Sequence, residues 1–175
     1  RQAAQLNFKI DCETRSTICH LAPLVRQVAA ERVQSELNYL LRNALGNYWL
    51  AVAWQDQVLQ SWLNNITPNR LNKLAQIESS AHLLEQQLAT PFKFNSDMIL
   101  TVKLTCLVSK IPEAAEIELN QLKYSRNDIR TITTLLRTFA QLKQSIIDKS
   151  LREQYFLFQA TKNIFPYLAL FAMVD

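Results

Sequence analysis

Glycine is almost absent from this sequence of 175 residues. Gly46 is the only one, where average usage gives roughly a dozen. Such a chain cannot build a G-x-G-x-x-G turn, a P-loop or a run of tight hairpins, because each needs backbone that glycine alone adopts freely. Cysteine is scarce and lacks a pattern: Cys12, Cys19 and Cys106 are an odd number with no C-x-x-C. That points to a reducing, cytoplasmic compartment and not to a disulfide framework. The two histidines, His20 and His82, form no H-E-x-x-H pair. Cys12, Cys19 and His20 fall at i, i+7 and i+8, close to one helix face, but a fourth ligand is not evident and the spacing fits no zinc family, so no metal is expected here. The D-x-D carboxylate pair that polymerase chemistry uses to hold metal ions is missing, as is a serine-centred nucleophile elbow. No apolar run approaches the roughly 18 to 20 residues that cross a bilayer, and no basic segment leads into an apolar one, so neither a membrane partner nor a signal peptide is expected. No segment alternates with period two over a useful length, and no strand is expected.

What is present reads as an all-α chain. Hydrophobic residues make up 49% and charged residues 19%, enough apolar surface to build a core. Caps and prolines divide the sequence into helices. Asp11 caps a helix to about Leu21, which Pro23 ends. A helix from about Ala29 to Arg42 carries Val33, Leu37, Leu40 and Leu41 on one face. Gly46 follows as a break, and a helix from Tyr48 to about Leu59 brings Tyr48, Trp49 and Trp54, with Trp62 beyond it. Thr67 as cap and Pro68 as first helical residue start a long helix to about Leu88. After a loop from Ala89 to Asn95, Ser96 caps a helix to about Ser109, Pro112 starts one to about Leu122, and Ser125 caps one from Arg126 to about Ile146. Ser150 caps Leu151 to about Ala160, and a last helix runs from about Asn163. The natural division falls near residues 64–67, giving a multi-helix bundle of two lobes, 1–64 and 65–175. The aromatic group around Trp49 and the trio Tyr155, Phe156 and Phe158 are expected in the core. The first residues already read as helix and the last follow an apolar stretch, so a piece of a longer protein is expected.

Charge is uneven. The whole chain carries +4, and the stretch from Lys123 to Lys149, with six basic residues against Asp128 and Asp148, carries the same excess. On a helical wheel Arg126, Arg130 and Arg137 fall within about 40° of one another, and Lys123, Gln141 and Gln144 lie within about 20° of that stripe. Ile129, Ile132, Leu135, Leu136 and Phe139 occupy the other side. Arginine and glutamine in a stripe suit phosphate and sugar contacts; a plain solvated face has the same look. On the earlier helix Arg32 and Glu36 stand at i, i+4, with Glu31 beside them, and are placed to pair.

Several strings resemble one family. Arg1, Ala3, Leu6, Phe8, Ile10 and Asp11 are similar to the R-x-A-x-x-L-x-F-x-I-D stretch that closes the catalytic region of bacterial class II tRNA nucleotidyltransferases. Thr14, Ile18 and Ala22-Pro23 follow in order. Val28 to Leu37 then resembles the family's V-S-x-E-R-I-x-x-E-L motif, with Leu40-Leu41 after it. Leu122 to Arg126 and Ser150 to Phe158 look like the body region of cyanobacterial-type members. The resemblance implies a helical neck, from beyond the nucleotide-reading template, and a helical body. It implies a parent enzyme that adds C, C and A, or CC alone or A alone, to tRNA 3′ ends from CTP and ATP with magnesium, or a related poly(A) polymerase. The catalytic head would lie outside this chain, which alone would be inactive and bind no cofactor. Glu31, Arg32 and Glu36 would brace the neck, with the head as a neighbour, and the body would grip the acceptor stem and elbow of tRNA. Lys123, Arg126, Arg130, Arg137 and Gln141 are the candidates for that grip on their own residue pattern. A helical protein-interaction module stays open as an alternative; it would expose an apolar groove in place of a basic face.

Overall fold

The structure, a computed structural model, describes residues 1–43, 45–87, 92–145 and 150–175, with the backbone alone of 144, 145, 157, 158 and 160. Among these residues it is all-α, without strand or sheet. The order is α1 (Gln2–Leu6), α2 (Cys12–Leu21), a 3-10 helix (Ala22–Gln27), α3 (Ala30–Arg42), α4 (Gly46–Gln55), α5 (Pro68–Gln87), α6 (Ser96–Leu107), α7 (Pro112–Gln121), α8 (Arg126–Ser145), α9 (Leu151–Thr161) and α10 (Phe165–Val174).

Local chemistry accounts for most starts. The Asp11 carboxylate accepts from Thr14 N–H at 2.9 Å and opens α2. Ser150 and Glu153 form a reciprocal capping box at the head of α9. α2 ends at Leu21 as expected, and Pro23 sits in the first turn of the 3-10 helix that follows, where its missing N–H has no role. Other boundaries differ from expectation. α4 ends at Gln55 and not near Leu59. Gly46 is the first residue of α4 and not a break between helices. Asn95, not Ser96, caps α6, its side-chain oxygen accepting from Met98 N–H at 2.9 Å. The last helix begins at Phe165, with Pro166 in its first turn. The expected loop from Ala89 lies in part outside the described residues.

α6 is the axle of the fold. Every residue from Val102 to Leu107 is buried, as expected for a helix apolar on all sides. It packs against α3, α5, α8 and α10, while α7 lies along α8 and α4 joins α3 to α5. One cluster of buried apolar side chains runs from Ala4 to Val174 through all of these. α6 itself carries one buried charge, Lys103. It is fully buried, and its ammonium donates to Leu41 O at 2.8 Å and to Glu78 Oε1 at 2.7 Å. A cation at the C-terminal carbonyls of α3 is favoured by the helix dipole, so Lys103 ties α3 to α5 and α6 from inside.

α2 and the 3-10 helix after it are held differently. No residue of α2 is fully buried. Its anchor is Arg15, which forks onto the buried Asp56 through Nε at 3.1 Å and Nη2 at 2.5 Å. Trp62 Nε1 donates to Val25 O at 3.3 Å, and Arg26 lies over the Trp62 ring. Trp49 and Trp62 are buried as expected, whereas Tyr48 is exposed. The expectation for α9 fails: Tyr155 and Phe156 are 60% and 57% exposed, stacked edge-on against each other. Phe158 lies outside the described side chains.

Candidate nucleic-acid interface

Ser125 opens α8: its hydroxyl accepts from Asp128 N–H at 3.2 Å and donates to Asp128 Oδ2 at 2.7 Å. The turn before it is set by a Schellman closure of α7, with Tyr124 N–H on Leu119 O and Lys123 N–H on Asn120 O. That closure puts Lys123 at φ 62°, a left-handed position where glycine or asparagine is usual. Two side-chain bonds pin the turn to α3. Tyr124 Oη donates to Asn38 Oδ1 at 2.7 Å, and Gln34 Nε2 donates to Lys123 O at 3.3 Å. Burial, with Asp128 adding to it, holds the Tyr124 hydroxyl well above its ordinary pKa, so it stays a donor.

The structure brings Arg126, Arg130 and Arg137 to one open groove of about 380 Å³ between α7 and α8, with Asn120 on the facing helix. Ile129 and Thr133 form its floor. All three arginines are exposed. The groove is not purely basic. Arg137 Nη2 meets Glu113 Oε1 at 3.3 Å, and Glu116 lines the same groove. Glu113 is held below its usual carboxylate range first by its own backbone N–H and then by Arg137. Lys123 stands exposed at the N-terminal end of the stripe and Gln141 one turn beyond Arg137, while Gln144 lies outside the described side chains.

The expected Arg32–Glu36 pair does not form. Glu36 Oε1 takes Arg1 Nη1 at 3.3 Å instead, and Arg1 lies over the Tyr39 ring at 4.7 Å. Arg32 and Glu36 line one wide cavity with Arg1, and Glu36 Oε2 is buried there without a hydrogen bond. Glu31 is exposed in the first turn of α3. An apolar pocket of about 290 Å³ lies beside them, floored by Leu37, Leu40, Leu59 and Trp62. Among the described residues, no group of three or more His, Cys, Asp and Glu is placed to hold a metal ion, and no helix is long and apolar enough to cross a membrane.

A second basic cluster has no counterpart in the sequence reading. Lys73 of α5, Lys110 before α7 and Lys143 of α8 all reach Asp175 after α10. The three lysines and Asp175 come from four separate stretches, and Lys143 stands within the apolar arc of its own helix, so no local pattern announces them.

A groove lined by three arginines on a helical scaffold is a candidate RNA-binding surface. A family model described as "Probable RNA and SrmB- binding site of polymerase A" matches residues 7–71. The chain is 36% identical over 179 residues to a "CC-adding tRNA nucleotidyltransferase" of Synechocystis sp., covering 99% of this chain and 43% of the relative. It is 37% identical over 59 residues to a "CCA-adding enzyme" of Leuconostoc mesenteroides, covering 34% of this chain and 15% of that protein. No solved structure matches. Together these likenesses support the neck and body region of a tRNA nucleotidyltransferase. The chain spans less than half the length of the Synechocystis relative.

Proposed function

We propose that this chain is the tRNA-holding neck and body of a tRNA nucleotidyltransferase that adds C and A, or C alone, to tRNA 3′ ends. The observation that carries the reading is the convergence of Arg126, Arg130 and Arg137 on one open groove, in a chain matched along 99% of its length by a CC-adding relative. Lys123 and Gln141 extend the contact along α8. Recognition rests on shape and phosphate, as is usual for duplex RNA, with the acceptor stem and elbow as the part held. CTP or ATP and magnesium would be held by the catalytic head, where attack of the tRNA 3′-hydroxyl on the α-phosphate would break the α–β phosphoanhydride bond and release pyrophosphate; α1 to α3, with Glu31, Arg32 and Glu36, brace the neck beside it. A tRNA substrate implies a cytoplasmic setting.

The test is fluorescence anisotropy with a tRNA lacking its CCA end, across a salt series. Replacing Arg126, Arg130 and Arg137 by Glu lowers affinity by about a hundredfold or more and reduces the salt slope by about 2 to 3. Unchanged affinity and slope in a folded variant refute the assignment of this face. The apolar pocket beside α3 favours a second reading, a protein-docking module. That reading expects partner binding with little salt dependence and none of this tRNA affinity.

A further inference from the structure

Three lysines distant in the chain meet around Asp175. Lys73 Nζ donates to Asp175 O at 2.5 Å and lies 3.4 Å from its Oδ1. Lys110 pairs with Oδ1, and Lys143 meets Oδ2 at 2.7 Å. Arg70 lies beside them, its guanidinium on Leu107 O and on Val108 O at 2.7 Å. Three ammonium groups thus meet one carboxylate, with Arg70 held on neighbouring carbonyls. The floor is apolar: Lys110 lies 4.8 Å above the Phe171 ring and Lys143 4.7 Å above Phe139, and the two rings meet edge-on. Asp175 is nearly covered at 9% side-chain exposure, whereas Lys110 and Lys143 are 39% and 59% exposed. An anion from solvent therefore meets ammonium groups before it meets the carboxylate. The excess charge is felt within the cluster. Burial first, and then Lys73, push Lys110 down to about 8, although Asp175 lies against it.

We propose that Lys73, Lys110 and Lys143 form a binding site for a backbone phosphodiester of RNA, with Asp175 holding their ammonium groups together when no phosphate is present. The proposal rests on the RNA-binding reading above and adds a separate contact to it. Lys143 stands about 120° around α8 from Arg137, so the two basic surfaces face different ways and would engage different stretches of backbone. The ordinary alternative is helix-end capping, since α6 and α10 both end at this cluster and cations suit such ends.

Asp175 separates the two roles. If the site takes phosphate, Asp175 competes with the ligand for the same ammonium groups. Asp175→Asn then tightens tRNA binding about threefold or more and steepens the salt slope, even while it lowers the melting temperature. The double variant Lys110→Gln, Lys143→Gln weakens binding about tenfold and reduces the slope by about 1.5 to 2, whereas Lys143→Arg keeps both. Circular dichroism melts accompany each variant, and the Asp175→Asn result stands if the lysine pair does not fold. Wild-type and stripe variants are measured alongside. If the stripe variant loses affinity while Asp175→Asn and the lysine pair bind like wild type, the cluster is structural only, and this inference fails while the tRNA-holding reading stands. If the wild type shows no salt-dependent tRNA binding, both fail together.

Discussion

Replacing Gly46 by alanine is the sharpest test of the fold, because two simple arguments give opposite signs. Gly46 opens α4, and helix propensity alone favours alanine there by up to about 1 kcal/mol. Its φ is not positive, so its backbone does not call for glycine. The requirement is space. A Cβ built on Gly46 lies 1.5 Å from Leu40 O and 2.5 Å from Leu40 C, both backbone atoms near the end of α3. Ordinary contact begins near 3.4 Å, so the α3–α4 corner must open by about 2 Å, which a close-packed interior resists. The two helices share the buried Leu37, Leu40, Leu41, Trp49 and Leu50, and opening the corner loosens all of them. The clash therefore outweighs propensity, and the loss is about 4 kcal/mol or more. For a chain of this size that lowers the melting temperature by about 8 to 16 °C. Differential scanning fluorimetry, confirmed by urea titration, reads it directly. A melting temperature at or above wild type would falsify the spatial argument and leave propensity in charge.

Lys123→Asn should separate stability from binding: relief of the left-handed position raises stability by about 0.5 to 1 kcal/mol, while loss of the charge lowers tRNA affinity and takes about one unit off the salt slope. Urea titration and anisotropy on the same preparation check both signs. Cys106 is buried and its thiol is pushed up to about 11, whereas Cys12 is exposed and Cys19 half-buried. A thiol reagent at pH 8 should therefore modify Cys12 and Cys19 in the folded chain and reach Cys106 only on unfolding; rapid modification of Cys106 in the native protein would contradict its placement. Lys110 falls from 10.5 to about 8 on folding, so above pH 8 the unfolded chain holds more protons than the native one and stability rises with pH. Cys106 acts in the opposite sense above 9, because its thiol keeps its proton longer in the folded state. Denaturant titrations should show stability increasing between pH 8 and 9 in the wild type and no such increase in Lys110→Gln.

The features legible in the sequence were those that a few neighbouring residues decide. The caps at Asp11, Ser125 and Ser150 are contacts over three residues, and their side chains and partners are adjacent in the chain. The arginine stripe was legible because one helix of period 3.6 places it. Asn95 and Ser96 are adjacent cap formers, and only the geometry chooses between them. What depends on packing was not legible. Glycine at position 46 reads as a break by propensity, yet it is there to clear the Leu40 carbonyl. Tyr155 and Phe156 read as core by residue type, but their burial depends on what α9 packs against. Glu36 chose Arg1 over Arg32 because chain proximity does not set side-chain direction. Glu113 beside Arg137, and the lysines around Asp175, exist only once separate helices meet.

The bond from Tyr124 to Asn38 fixes where α8 starts. α8 has 20 residues and is about 30 Å long; this bond holds the turn before its N-terminal end, α7 lies along it, and Lys143 near its other end meets Asp175. The arginine stripe is therefore carried by a rod held at both ends, and a ligand lying along it meets guanidinium groups whose spacing the packing sets in advance.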